Sequence, residues 1–324
     1  MKETQAMIDP KHTVVVANPA AAAGRIGRTR EALLGKLRAG LGACEVLFTK
    51  ARGDATELAA QARAAGATTV VSLGGDGTHN EVVNGLLRAG YPTQVQLGVL
   101  PAGTGGDFCR STLAGHDLDT GIRTMAGATA ARIDVGVTRY RSDAGAPAER
   151  YFLNMASCGV SGLVCRLVEQ SGKRLGGGIA FYLATVRALW RYKPARLNIV
   201  LDGQRISEAD GTEVTTVTVC NGQFAGGGMR FGPSARLTDG ELDVVIIRPA
   251  SLLAQIRHSP KLYKGEHGAV PVVSQHRGRR LQVEPVSDRP AYIEFDGEAP
   301  GVAPAEFTIL PGALPVLGLA PWAL

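Results

Sequence analysis

Up to residue 101, short aliphatic and β-branched runs alternate with longer stretches of helical apolar spacing. "TVVVANP" (13–19), "CEVLFT" (44–49), "TTVVSL" (68–73) and "VQLGVLP" (95–101) read as strands. Between them, 26–40, "DATELAAQARAAG" (54–66) and "THNEVVNGLLRAG" (78–90) read as helices, with Asp54 as the N-cap of the second. The strands show no polar alternation, which predicts a parallel sheet covered on both faces. After about residue 133 the rhythm changes to strand-like segments joined by loops, among them "RIDVGVTRY", "EVTTVTVCNG", "GELDVVIIRP" and "AYIEFDGE". One helix is expected near 178–192 and another over 250–264, while "SDAGAPAER" (142–150) reads as a hairpin tip. The pattern predicts an α/β domain with a parallel sheet over 11–133, then an antiparallel β-sandwich domain over 134–305. The segment 306–324 is expected to return to the first domain.

The 324 residues are enough for two such cores, and 45% hydrophobic with 20% charged residues is globular composition. A net charge of +6 favours anionic partners without choosing among nucleotide phosphate, acidic lipid and nucleic acid. The five cysteines, Cys44, Cys109, Cys158, Cys165 and Cys220, form no CxxC pair, which argues against a disulfide scaffold or a zinc site and fits a reducing cytoplasm. The start "MKETQAMIDPKH" has no apolar signal region, and no run reaches the ~20 apolar residues of a spanning helix. A cytoplasmic or peripheral protein is expected.

Candidate chemistry lies at the strand ends. "GGDGT" (74–78) sits between the strand 68–73 and the helix 78–90, where open α/β sheets bind ligands. Glycines let backbone N–H groups approach an anion, and a helix N-terminus suits phosphate. An aspartate there makes sense if it holds Mg²⁺ or accepts a hydroxyl proton; the bland alternative is a turn in which Asp76 or Thr78 caps the helix. "VLPAGTGGDFCRS" (99–111) repeats the logic one strand along, and "NPAAAAGRIG" (18–27) offers a third small-residue loop with Arg25 as a phosphate contact. Three such loops suit a nucleoside triphosphate. No Walker A sequence or protein-kinase signature occurs.

In order along the chain, "NPAAAAGR", "SLGGDGTHNEVVNGL", "LPAGTGGDFCR", "NGQFAGGGMRFGPSARLTDGELDVVII" and "FDGE" resemble the motifs of the diacylglycerol kinase catalytic domain family. That family includes bacterial lipid kinases and diacylglycerol, sphingosine and ceramide kinases. The resemblance implies ATP in a cleft between the two domains. It puts nucleotide contacts at Asn18, Pro19, Thr49, Gly74, Gly75, Asp76, Gly77, Thr78 and Thr104. It makes Glu298 the general base for a lipid hydroxyl, with Asp76 organising Mg²⁺–ATP or, in some sphingosine kinase readings, serving as the base itself. It also implies a structural Mg²⁺ held by the Asp239 carboxylate and the backbone carbonyls of Arg236 and Glu241. The chain departs from the family at His79, where an apolar residue is usual and no partner pattern is visible. Gly106 stands where Asn is usual, which puts a role for Asp107 in doubt, and the opening loop has Ala where Ser is common.

Taken alone, "FDGE" reads first as a hairpin turn, like "LDGQRI" at 201–206. "IAFYLATVRALWRYKPAR" (179–196) is a helix packed on the sandwich or a membrane contact, and "HRGRR" (276–280) a solvated loop or a contact for lipid headgroups. Neither has the aromatic interleaving of a nucleic-acid groove, so no nucleic-acid partner is expected. The expectation is an ATP- and Mg²⁺-dependent kinase acting on a membrane lipid at the membrane surface. Diacylglycerol leads, with ceramide or a sphingoid base behind. An NAD kinase-like enzyme and a non-catalytic regulator are the rivals, and a homodimer is compatible with the sequence.

Overall fold

The β-branched run that opens the chain becomes β1 (Thr13–Ala17), all five residues of which are buried. In the computed structural model, residues 9–102, 106–171 and 177–324 are described. The segment 18–27, expected to be a loop, turns helical at once. α1 (Ala21–Arg28) and α2 (Arg30–Leu41) meet at Thr29, whose non-helical φ of −108° divides the helix expected over 26–40. The alanine-rich composition accounts for the early start, because alanine is the strongest helix former. β2 (Glu45–Phe48) is followed by α3 (Asp54–Ala64), β3 (Thr69–Gly74), α4 (Asp76–Leu87), β4 (Gln96–Pro101) and α5 (Leu118–Ala126).

Asp54 is not the N-cap of α3. Gly53 holds that position, and the Asp54 carboxylate accepts instead from the amides of Lys50 and Ala51. Glu81 on α4 takes over the capping, accepting from the Gly53 and Ala55 amides at 3.0 and 3.1 Å. The strands run β2–β1–β3–β4, all parallel, and the last strand of the chain joins β4 with Val316 opposite Leu97, also parallel. These elements form one compact unit, Met1–Val135 with Pro311–Leu324.

Gly136–Leu310 form the second unit, entered within β5 (Ala130–Ser142). β5 and β6 (Pro147–Phe152) make a hairpin around residues 143–146. Then come β7 (Met155–Gly159), α6 (Val160–Ser171), α7 (Gly177–Arg191), β8 (Ala195–Leu201), β9 (Gln204–Arg205), β10 (Thr212–Val214) and β11 (Thr216–Cys220). The short hairpin β12 (Phe224–Ala225) and β13 (Met229–Arg230) precedes β14 (Leu242–Ile247), α8 (Leu252–Lys264), β15 (Val273–Gly278), β16 (Arg280–Pro285), β17 (Tyr292–Phe295) and β18 (Glu298–Leu317).

Two ladders share β18: β15–β14–β11–β7–β17–β18, and β18–β16–β8–β10 with β5 and β6 alongside. Their inward side chains, including Phe152, Leu197, Val217, Leu242, Phe295 and Phe307, fill one core, as expected of a β-sandwich. "HRGRR" is not a solvated loop but the β15–β16 connection, paired into the sheet. α6 was not anticipated. Among the described residues no helix is long and apolar enough to cross a membrane.

Candidate active site

The ends of β1, β3 and β4 are tied together by backbone bonds. The Asn18 amide donates to the Leu73 carbonyl at 2.9 Å and the Ala102 amide to the Gly74 carbonyl at 2.8 Å. Side chains complete the mouth: Asn18 Nδ2 donates to Thr78 Oγ1 at 3.1 Å, and Asn18 Oδ1 accepts from the Ala20 amide at 2.9 Å. Gly74 is required for this closeness, since a Cβ there would stand 2.5 Å from Thr78 Oγ1. Gly75 is the extended N-cap of α4, and Gly77 in its first turn faces open space. The first turn of a helix leaves amides without intrahelical partners, at the positive end of its dipole. This glycine-lined helix start can therefore receive an anion.

Asp76 has a structural task here. Its two carboxylate oxygens accept from the amides of Asp107 and Phe108 at 3.0 and 3.1 Å, fastening the second glycine-rich segment to the start of α4. Burial raises its carboxyl above the usual range, and those two amides act against the rise. Asp107 thus contributes through its backbone, and Gly106 permits a close approach, with a Cβ there only 3.2 Å from Cys109 Sγ. Thr49 is buried just past β2, with its amide bonded to the Ala17 carbonyl; the Pro19 carbonyl accepts from Gly27; Arg25 is exposed on α1. Thr104 lies outside the described residues.

His79 does have partners, against expectation. It is buried, with Nδ1 2.8 Å from Ser72 Oγ and Nε2 3.6 Å from Cys109 Sγ, so its ring joins β3, α4 and the turn after β4. Burial lowers its pKa to about 3 and, together with the Asp76 and Asp107 carboxylates, raises the Cys109 thiol to about 12; both groups are neutral. The remainder of the "GGDGTHNEVVNGL" segment is packing. Asn84 bonds Asn80, Glu81 caps α3, and Gly85 lets α3 approach α4.

In the second unit, "FDGE" is a two-residue hairpin turn that holds Glu298. Asp296 and Gly297 have φ of 43° and 92°, the left-handed pair typical of Asp-Gly hairpins, and Phe295 pairs with Glu298. The Asp296 carboxylate accepts from the amides of Leu153, Asn154 and Met155 at 2.7, 3.0 and 3.2 Å. A residue missed from the sequence braces the same turn: Glu294, buried, accepts from the Gly297 amide at 2.8 Å and from Ser157 Oγ at 2.7 Å. Burial raises its carboxyl to about 7. The available signal was an acid inside the otherwise apolar "YIEF", a strand buried on both faces. Glu298 itself is partly buried at the start of β18.

Of the residues expected around a structural Mg²⁺, Asp239 has protein partners on both carboxylate oxygens. Asp239 is ion-paired to Arg277, and its other oxygen accepts from the Glu241 amide at 3.1 Å. Glu241 and Asp243 also face Arg277, at 3.1 and 3.7 Å from Nε. A guanidinium thus supplies the positive charge beside these three acids. Among the described residues no cluster of His, Cys, Asp or Glu forms a metal site.

Comparison with known proteins bears on the family and the fold. The family model described as "Diacylglycerol kinase catalytic domain" matches residues 12–138, and that described as "YegS C-terminal NAD kinase beta sandwich-like domain" matches residues 154–318. The chain is 30% identical over 263 residues to a diacylglycerol kinase of Bacillus subtilis, covering 81% of each chain. To a diacylglycerol kinase of Mycobacterium tuberculosis it is 31% identical over 268 residues, covering 82% of this chain and 81% of that one. A crystal structure of a diacylglycerol kinase from Bacillus anthracis shares the fold with a TM-score of 0.71 at 19% identity, covering 99% of this chain and 100% of that one. With the glycine-lined helix start in one unit and the braced DGE turn in the other, the chain belongs to the diacylglycerol kinase family of lipid kinases.

Proposed function

We propose that this protein transfers the γ-phosphate of ATP, supplied as its Mg²⁺ complex, to the hydroxyl of diacylglycerol, giving phosphatidic acid. The observation that carries the reading is the convergence of three strand ends on the first turn of α4, stitched by Asn18, Thr78 and Asp76. Phosphoryl transfer makes few covalent demands on a protein; it needs the phosphates positioned and their charge offset, and it needs a group for the nucleophile's proton. The amides at the start of α4 hold the phosphates. Asp76 keeps the second glycine-rich segment in place, so the proton falls to Glu298, which the turn between Asp296 and Gly297 fixes against the sheet.

The test is purified protein with labelled ATP and a panel of diacylglycerol, ceramide, sphingoid base and NAD. Labelled phosphatidic acid is expected, while label in NAD, or in no acceptor, would overturn the reading. Glu298→Gln should lower kcat by about 10²–10⁴-fold, the usual contribution of a general base, with ATP binding retained. Wild-type turnover in that variant would remove Glu298 as the base.

A further inference from the structure

α7 has two unlike faces. Ala184 and Ala188 are buried, and Phe181 and Leu189 pack with them against Val160, Leu163, Val164 and Leu167 of α6. The opposite face carries Tyr182, Leu183 and Trp190, which are 61%, 52% and 77% exposed, with Arg187 and Arg191 exposed beside them. No side chain of α8 is fully buried, and its Leu253 is 76% exposed and its Ile256 42%. The two helices belong to one end of the second unit: Leu189 and Tyr192 line the same cavity of about 100 Å³ as Ala250 and Gln255.

Neither helix contains an aspartate or a glutamate. Arg187, Arg191 and Lys193 on one side, and Arg257, Lys261 and Lys264 on the other, make no ion pair among the described residues. Large apolar side chains grouped on an exposed face mark an interaction surface. Trp and Tyr beside Leu and unpaired Arg and Lys match the boundary of a bilayer, where aromatic rings sit at headgroup level and cations meet anionic lipid.

We propose that the outward faces of α7 and α8 dock this protein on an anionic bilayer, with Tyr182, Leu183, Trp190, Leu253 and Ile256 seated among the headgroups. The partner follows from the reading of the acceptor as a membrane lipid, and the surface follows from the two helices. The two ideas therefore fail separately.

The full chain is sedimented with vesicles of phosphatidylcholine alone, or of phosphatidylcholine and phosphatidylglycerol in equal amounts. Binding is expected only to the second. In a Trp322→Phe background the emission of Trp190 should shift to the blue on those vesicles. Trp190→Glu with Leu253→Glu should weaken vesicle binding by about tenfold or more, given the cost of placing charge at an apolar interface. Arg187→Gln with Arg191→Gln should weaken it by about thirtyfold without touching the apolar face, at about 1 kcal/mol per cation. Phosphorylation of a short-chain diacylglycerol held below its micelle concentration should be unchanged in both variants. Unaltered vesicle binding in either variant, or an unshifted Trp190 emission, overturns the docking proposal. A wild type that binds these vesicles through Trp190 yet phosphorylates no lipid upholds docking and sinks the kinase reading.

Discussion

Asp76, expected at the catalytic centre, also has a structural task through its bonds. With both oxygens on the amides of Asp107 and Phe108, its removal leaves two donors without acceptors, a loss that acts through loop geometry. Arg277 is the parallel case. A guanidinium on β15 meets Asp239, Glu241 and Asp243. The thermal transition of the wild type should therefore be the same in excess Mg²⁺ and in EDTA. Arg277→Gln should lower it, by about 1 kcal/mol for a partly exposed network, and Mg²⁺ should then restore part of the loss. A wild-type transition that Mg²⁺ raises would contradict this. At this scale the sequence marked candidate residues but not what each one bonds. The motif spacing marked Asp76, Thr78 and Glu298. The partners of His79, at Ser72 and Cys109, lie on other elements, and no local pattern could reveal them.

The same distinction holds between elements. Gly85 sits in mid-helix, where Ala would gain about 1 kcal/mol in helix propensity. A Cβ there, however, would lie 2.2 Å from the Thr56 carbonyl oxygen and 2.9 Å from Ala59 Cβ, and backbone cannot yield as a side-chain tip can. Overpacking of this kind costs about 1–3 kcal/mol, so packing wins over propensity. Gly85→Ala should destabilise the protein by about 1–2 kcal/mol in a denaturant titration; a stabilised variant would show that α3 and α4 can separate freely. The strands of the first unit were legible because they are continuous apolar runs, and the hairpin at 143–146 because of its turn residues. α6 was missed, although Val160, Leu163, Val164, Leu167 and Val168 stand at helical spacing, because the surrounding strand rhythm obscured it. The division at Thr29 was marked only by Gly27 and Thr29, weak helix formers that helices often tolerate.

For the whole molecule, the two units carry buried titratable groups of opposite sense. His79 in the first unit falls from 6.5 to about 3, so its neutral ring contributes stability that is complete above pH 6.5 and lost as pH drops toward 3. Glu294 in the second rises from 4.5 to about 7, so its neutral acid contributes stability that is complete below pH 4.5 and lost as pH climbs toward 7. Between those limits each group changes stability by about 1.4 kcal/mol per pH unit, in opposite directions. Asp76, raised by burial, acts in the sense of Glu294 within the first unit, so each variant must be compared with the wild type at every pH. Two units need not unfold in one step, and calorimetry can follow each transition. His79→Gln should flatten the acid loss of the first unit below pH 6.5. Glu294→Gln keeps the shape of the side chain without its titration, and should gain on the wild type as pH rises from 4.5 to 7. Curves that stay parallel to the wild type across this window would mean that neither group remains neutral in the folded chain.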